Sequence, residues 1–158
     1  MKLGGWHHIA LPVPDLDAAV QWYQRVLYAQ VQRRTDVDQR DVRSGRNRQA
    51  WLSVGATVVN LAEADPVPRR FEQHFCHYAI ATGGGDLAEW LSHLRREGVA
   101  ILGPYGHGGL PFLSVYFDDP DGYRWELVID YPDYETAHRE GLRHGGKLGN
   151  PTATYEWE

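Results

Sequence analysis

His8-Ile9-Ala10-Leu11 near the start of the chain and His77-Tyr78-Ala79-Ile80 near its middle are two versions of one short strand. In the first, Ile9, Leu11 and Val13 alternate with His8, Ala10 and Pro12, so one face is apolar and the other carries a histidine among small residues. In the second, Tyr78 and Ile80 share a face and His77, Ala79 and Ala81 the other. Each strand ends at a helix start. Pro14-Asp15 supplies a stop and an N-cap, and Leu16, Val20, Tyr23 and Leu27 follow at helical spacing. Gly83-Gly84-Gly85 turns the second copy into Asp86, and Leu87, Trp90, Leu91 and Leu94 make its stripe, with Gly98 at the position after the helix end. The two copies align from histidine to helix, with a two-residue insertion between strand and cap in the second.

After each helix come apolar, strand-like runs: Gln49 to Val54 and Ala56 to Leu61, then Phe112 to Phe117 and Tyr123 to Ile129 across the turn Asp118-Asp119-Pro120-Asp121-Gly122. The expected plan is an α+β fold in which strand, helix and strands occur twice. It makes a single domain over 1–158, with module one at about 5–64, a connector at 65–75 stiffened by Pro66 and Pro68, module two at about 76–131 and an extension at 132–158. In the extension a helix is expected from Tyr134 to Arg143, with His138, Arg139, Arg143, His144 and Lys147 on a solvated face.

The chain has 158 residues, enough for one ordinary core. Its net charge of −5 argues against nucleic acid, which needs a basic face. Arg33, Arg34, Arg40, Arg43, Arg46 and Arg48 cluster, but Asp36, Asp38 and Asp41 interrupt them, as in a solvated loop or edge. The single cysteine, Cys76, excludes an internal disulfide and a cysteine zinc site, and points to the cytoplasm. Neither a signal peptide at the N-terminus nor a bilayer-spanning run is expected.

A lone histidine or glutamate on a strand is usually a surface residue, but His8 and His77 occupy matching positions of a duplicated frame. In the last strand Trp125, Leu127 and Ile129 share a face, leaving Glu126 on the other with Arg124 and Val128. Two histidines and a carboxylate on the open faces are the donor set of a facial triad.

The segments HHIALPVPDLDAAVQWY, FCHYAIA and YFDDPDGYRWELV resemble the vicinal oxygen chelate superfamily, which includes glyoxalases, bleomycin-resistance proteins and extradiol dioxygenases. That resemblance covers about residues 5 to 132. It implies two βαβββ modules forming a curved mixed sheet around a central metal cavity, in which His8, His77 and Glu126 bind one divalent metal, and a chain that acts on a small molecule as a homodimer. His107, Tyr116 and Glu126 stand at the spacing of the extradiol signature, with a mismatch at Tyr105. Ring cleavage of a catechol-like aromatic by O2 at Fe(II) is therefore the expected reaction, with Mn(II), Zn(II) or Ni(II) as other metals and His107 and Tyr116 as catalytic groups. Glyoxalase-like enzymes use a fourth ligand, a glutamate, where this chain has Asn60. Fosfomycin-modifying relatives grip an anion with basic residues, and here no Lys or Arg lies between Gly103 and Phe112, while Asp130, Asp133 and Glu135 follow the ligand. A metal-free drug binder is the remaining alternative, and for enzyme and binder alike Trp51, Tyr105, Phe112 and Tyr123 are expected to line a hydrophobic pocket.

Overall fold

In strand β1 (Ile9–Val13) the expected alternation holds: Leu11 and Val13 are buried, while His8 and Ala10 are exposed. The computed structural model describes residues 7–36, 47–64, 77–82, 87–107 and 109–148. Trp6, the arginines at 40, 43 and 46 with Asp38 and Asp41, the connector with Pro66 and Pro68, Cys76, the turn and cap at 83–86, and the tail from 149 lie outside the described residues.

The Asp15 carboxylate accepts the Ala18 N–H at 3.0 Å and so starts helix α1 (Leu16–Val26). Leu16, Val20, Tyr23 and Leu27 are all buried, as their spacing requires, and α1 packs on β2 (Gln30–Thr35), β3 (Gln49–Val54) and β4 (Thr57–Glu63). The sheet order is β1-β4-β3-β2, with β1 parallel to β4 and the other pairs antiparallel. Arg33 and Arg34 fall on the edge strand β2, where charge discourages pairing with another chain. Arg48 is not a loosely solvated residue: it forks onto Glu63 at 2.8 and 2.9 Å and reaches Asp17 at 3.1 Å, tying the start of α1 to the end of β4.

The second unit repeats the plan with β5 (Tyr78–Ala81), α2 (Leu87–Arg96), β6 (Leu102–Gly106), β7 (Phe112–Asp118) and β8 (Arg124–Asp130). Helix α3 (Tyr134–Arg143) matches its expected span, and β9 (Lys147–Leu148) adds a fifth strand, giving the order β5-β8-β7-β6-β9. Both units are βαβββ modules, so the α+β expectation is met. The chain divides into compact units at Met1–Phe75 and Cys76–Glu158. Among the described residues no helix is long and apolar enough to cross a membrane.

Two devices in the second unit place the site. Gly98, at φ +72°, ends α2, and the Val99 N–H closes on the Leu94 carbonyl at 2.9 Å. Buried Asp119 accepts the N–H groups of Asp121 and Tyr123 at 3.0 and 2.8 Å, and Gly122 takes φ +79°, so the chain reverses tightly between β7 and β8. Leu113, Val115, Phe117, Trp125, Leu127 and Ile129 then fill the core side of that hairpin. Full burial of each contributes about 1.5–3 kcal/mol.

Candidate functional site

The β7–β8 hairpin sets Tyr116 directly opposite Glu126. On the parallel side of β8, Ala79 of β5 is Glu126's partner, so His77, two residues before Ala79, comes from the same face. The result is a contact: His77 Nε2 lies 2.8 Å from Glu126 Oε2. The other carboxylate oxygen, Oε1, accepts hydrogen bonds from Tyr116 OH at 3.0 Å and Ser114 Oγ at 2.5 Å. Ser114 Oγ in turn lies 2.8 Å from His107 Nε2. Glu126 is buried, and these donors offset the cost of removing its charge from water. Burial, then the neighbouring Glu126 charge and the hydrogen bond to it, raise the Tyr116 hydroxyl to about 12.

In the first unit, His8 lies on the open face with Ala10, and the register pairs Ala10 with Asn60 and Asn60 with Trp51. The His8 and Trp51 rings meet at 4.7 Å, as the His77 and Tyr116 rings meet at 5.4 Å. Strand register therefore makes Asn60 the internal counterpart of Glu126, and Trp51 that of Tyr116. The buried Asn60 amide donates to Gln49 Oε1 at 3.2 Å. Glu63, three residues on, is taken up by Arg48.

Of the residues singled out from sequence, His77, Glu126, Tyr116 and His107 belong to one connected set in the second unit, and His8 stands on the matching face of the first. Tyr105 adds its ring 6.0 Å from that of Tyr116, and Phe112 its ring 4.9 Å from that of His107. Tyr123 instead meets Tyr78 at 6.5 Å. Ser114 was not singled out. It stands two residues before Tyr116 on a strand, and period-two reasoning on that strand is the signal that finds it.

Among the described residues no three His, Cys, Asp or Glu side chains form a group able to hold a metal. His77 and Glu126 supply a fitting pair. They bring an imidazole nitrogen and a carboxylate oxygen within 2.8 Å of each other, the donor types a divalent metal takes.

The family model for the Glyoxalase/Bleomycin resistance protein/Dioxygenase superfamily matches residues 5–127. A metallothiol transferase FosB of Staphylococcus epidermidis is 29% identical over 128 residues, 80% of this chain and 82% of the relative. A putative lactoylglutathione lyase of Brassica oleracea is 28% identical over 148 residues, 87% of this chain but 49% of the relative. The crystal structure of the fosfomycin resistance protein FosX from Listeria monocytogenes, complexed with Mn(II) and sulfate ion, superposes with a TM-score of 0.63 at 19% identity, covering 83% of this chain and 96% of that one.

These relatives are enzymes, but transferases and lyases, and they overturn the expectation of an extradiol dioxygenase. The assignments as an oxidoreductase and to iron fall with it. The reason is structural. The spacing between Tyr116 and Glu126 is set by their being opposed across the hairpin, and His107 is tied into the same hairpin through Ser114. That spacing follows from the turn and its register, and so does not by itself mark ring cleavage.

Proposed function

We propose, from the premise that this chain belongs to the Glyoxalase/Bleomycin resistance protein/Dioxygenase superfamily, that it is a divalent-metal enzyme transferring a small thiol onto an oxygen-bearing electrophile. The observation that carries the reading is the His77–Glu126 contact at 2.8 Å, with Oε1 of the carboxylate already held by Ser114 and Tyr116. His8, His77 and Glu126 are the proposed ligands of one ion. Mn(II) is the first metal to test, because a FosX structure contains it. The metallothiol transferases, matched over most of both chains, support the transfer of a thiol.

A divalent cation supplies Lewis-acid polarisation of a substrate oxygen when bound. The residues of the chain do the rest. In the proposed reaction the thiol sulfur bonds to an epoxide carbon, the carbon–oxygen bond opens, and the released oxygen takes the proton that the thiol lost. Tyr116, protonated up to about 12, is a donor throughout the physiological range. His107 and Tyr116 are the proposed groups for handling that proton. Trp51, Tyr105 and Phe112 offer aromatic surface to an apolar or aromatic substrate body. With no Lys or Arg between Gly103 and Phe112, an uncharged epoxide suits the site better than a phosphonate. The cytoplasm, where small thiols stay reduced, is the proposed compartment, and a homodimer the proposed assembly.

The test is mass spectrometry of the protein with Mn(II), cysteine or glutathione, and a panel of uncharged epoxides. A product whose mass is the sum of thiol and epoxide, abolished by a chelator, is expected. Turnover of a thiol–aldehyde adduct with no epoxide opening would overturn the transferase in favour of a lyase.

A further inference from the structure

We propose that Ser114, itself oriented by His107, is a positioning residue that turns a single oxygen of Glu126 toward His77 and the metal. The inference rests on the reading of Glu126 as a ligand. Ser114 is fully buried on β7, and its hydroxyl meets Glu126 Oε1 at 2.5 Å and His107 Nε2 at 2.8 Å, with the Tyr116 hydroxyl beside it. A carboxylate has no hydrogen to give, so the one hydroxyl hydrogen of Ser114 goes to Glu126. At the other contact Ser114 must therefore accept, and His107 Nε2 must carry the hydrogen it donates. The chain of donors runs from His107 through Ser114 to Glu126, and neutral His107 is held as the Nε2–H tautomer with Nδ1 bare. Tyr116 OH brings a second donor to the same Oε1 at 3.0 Å.

With Oε1 committed twice, Oε2 is the oxygen presented to His77 Nε2 at 2.8 Å. A carboxylate without this brace could turn about its last bond and offer either oxygen or both. The first module carries the same device in neutral form. Gln49, two residues before Trp51, holds Asn60, as Ser114, two residues before Tyr116, holds Glu126. In each module that position on the third strand fixes the polar group of the fourth.

Two readouts on the full chain test this. The first is calorimetric titration with Mn(II). Removing a brace of this kind costs roughly 10–100-fold in metal affinity. Ser114→Ala is expected to show that loss in a protein whose metal-free melting transition, though lowered, stays cooperative. His107→Leu should weaken binding in the same direction, and His107→Gln, which keeps an N–H donor, should restore it. The second readout needs no metal: long-range ¹H–¹⁵N NMR of the His107 ring, expected to show Nε2–H in the wild type and a loss of that preference in Ser114→Ala. Wild-type affinity in Ser114→Ala, or an Nδ1–H tautomer at His107, would overturn the positioning role and leave the metal site standing. A wild-type protein that binds no Mn(II) would overturn the functional reading itself.

Discussion

Glu126 shows how a single residue carries both a structural and a chemical burden. It is buried, and its charge is tolerated because two hydroxyl hydrogens and a histidine meet it. Glu126→Ala should leave Ser114 and Tyr116 without their acceptor and cost about 1–3 kcal/mol in urea unfolding, on top of abolishing metal binding. An unfolding midpoint equal to wild type would show the network to be looser than its distances state. Tyr116→Phe should keep metal but lose rate, which a paired metal titration and activity assay would establish; loss of both together would make Tyr116 a brace only. At this scale the sequence was partly legible. His77 and Glu126 could be read from alternation and duplication, because a strand side chain's face follows from parity. Ser114 did not stand out by type, since serine is ordinary in strands, and its parity with Tyr116 is the signal the sequence holds.

Elements were legible where their signals were local. Asp15 starts α1, Gly98 closes α2, and the Tyr134–Arg143 helix has both its ends where the pattern put them. Strand β6 was not, because Gly103-Pro104 and Gly106 break any apolar alternation; the segment is a strand through its pairing with β7. The β7–β8 turn is the element on which the site depends. Asp119→Ala removes the acceptor of two N–H groups and should lower stability by about 1–3 kcal/mol, weakening metal binding too as Tyr116 loses its register with Glu126. Urea unfolding and metal titration of one sample measure both; an unchanged pair of values would refute the turn's role. The Arg48 clamp makes a pH prediction. Hydrogen bonds from Arg34 and Arg48 hold Asp17 below its usual range, and the hydrogen bond from Arg48 does the same for Glu63. With folded values depressed, the stability they contribute is present above the ordinary carboxylate range near pH 4 and is lost as pH falls through it. Arg48→Met should therefore lower the melting temperature at pH 7, with the difference from wild type shrinking on acidification. A difference independent of pH would assign the effect to packing.

At the scale of the whole molecule, the duplication is the feature from which most else follows. Two modules of the same order and the same internal register each present a histidine, an aromatic and a polar residue on one sheet face, and they differ in chemistry at Asn60 and Glu126. This plan could be read from the chain because both copies keep the strand–cap–stripe pattern. The reaction could not, since the hairpin spacing that suggested ring cleavage belongs to the fold that transferases and lyases share. Light scattering at micromolar concentration should give the mass of two chains; a monomer that nonetheless turns over would remove the homodimer from the account. The central proposal is one divalent ion held by His8, His77 and Glu126, and equilibrium dialysis against Mn(II) tests it most directly. The account predicts one ion per chain in the wild type and loss of most of it in each of His8→Ala, His77→Ala and Glu126→Gln. Wild-type metal content in any one of the three would contradict it.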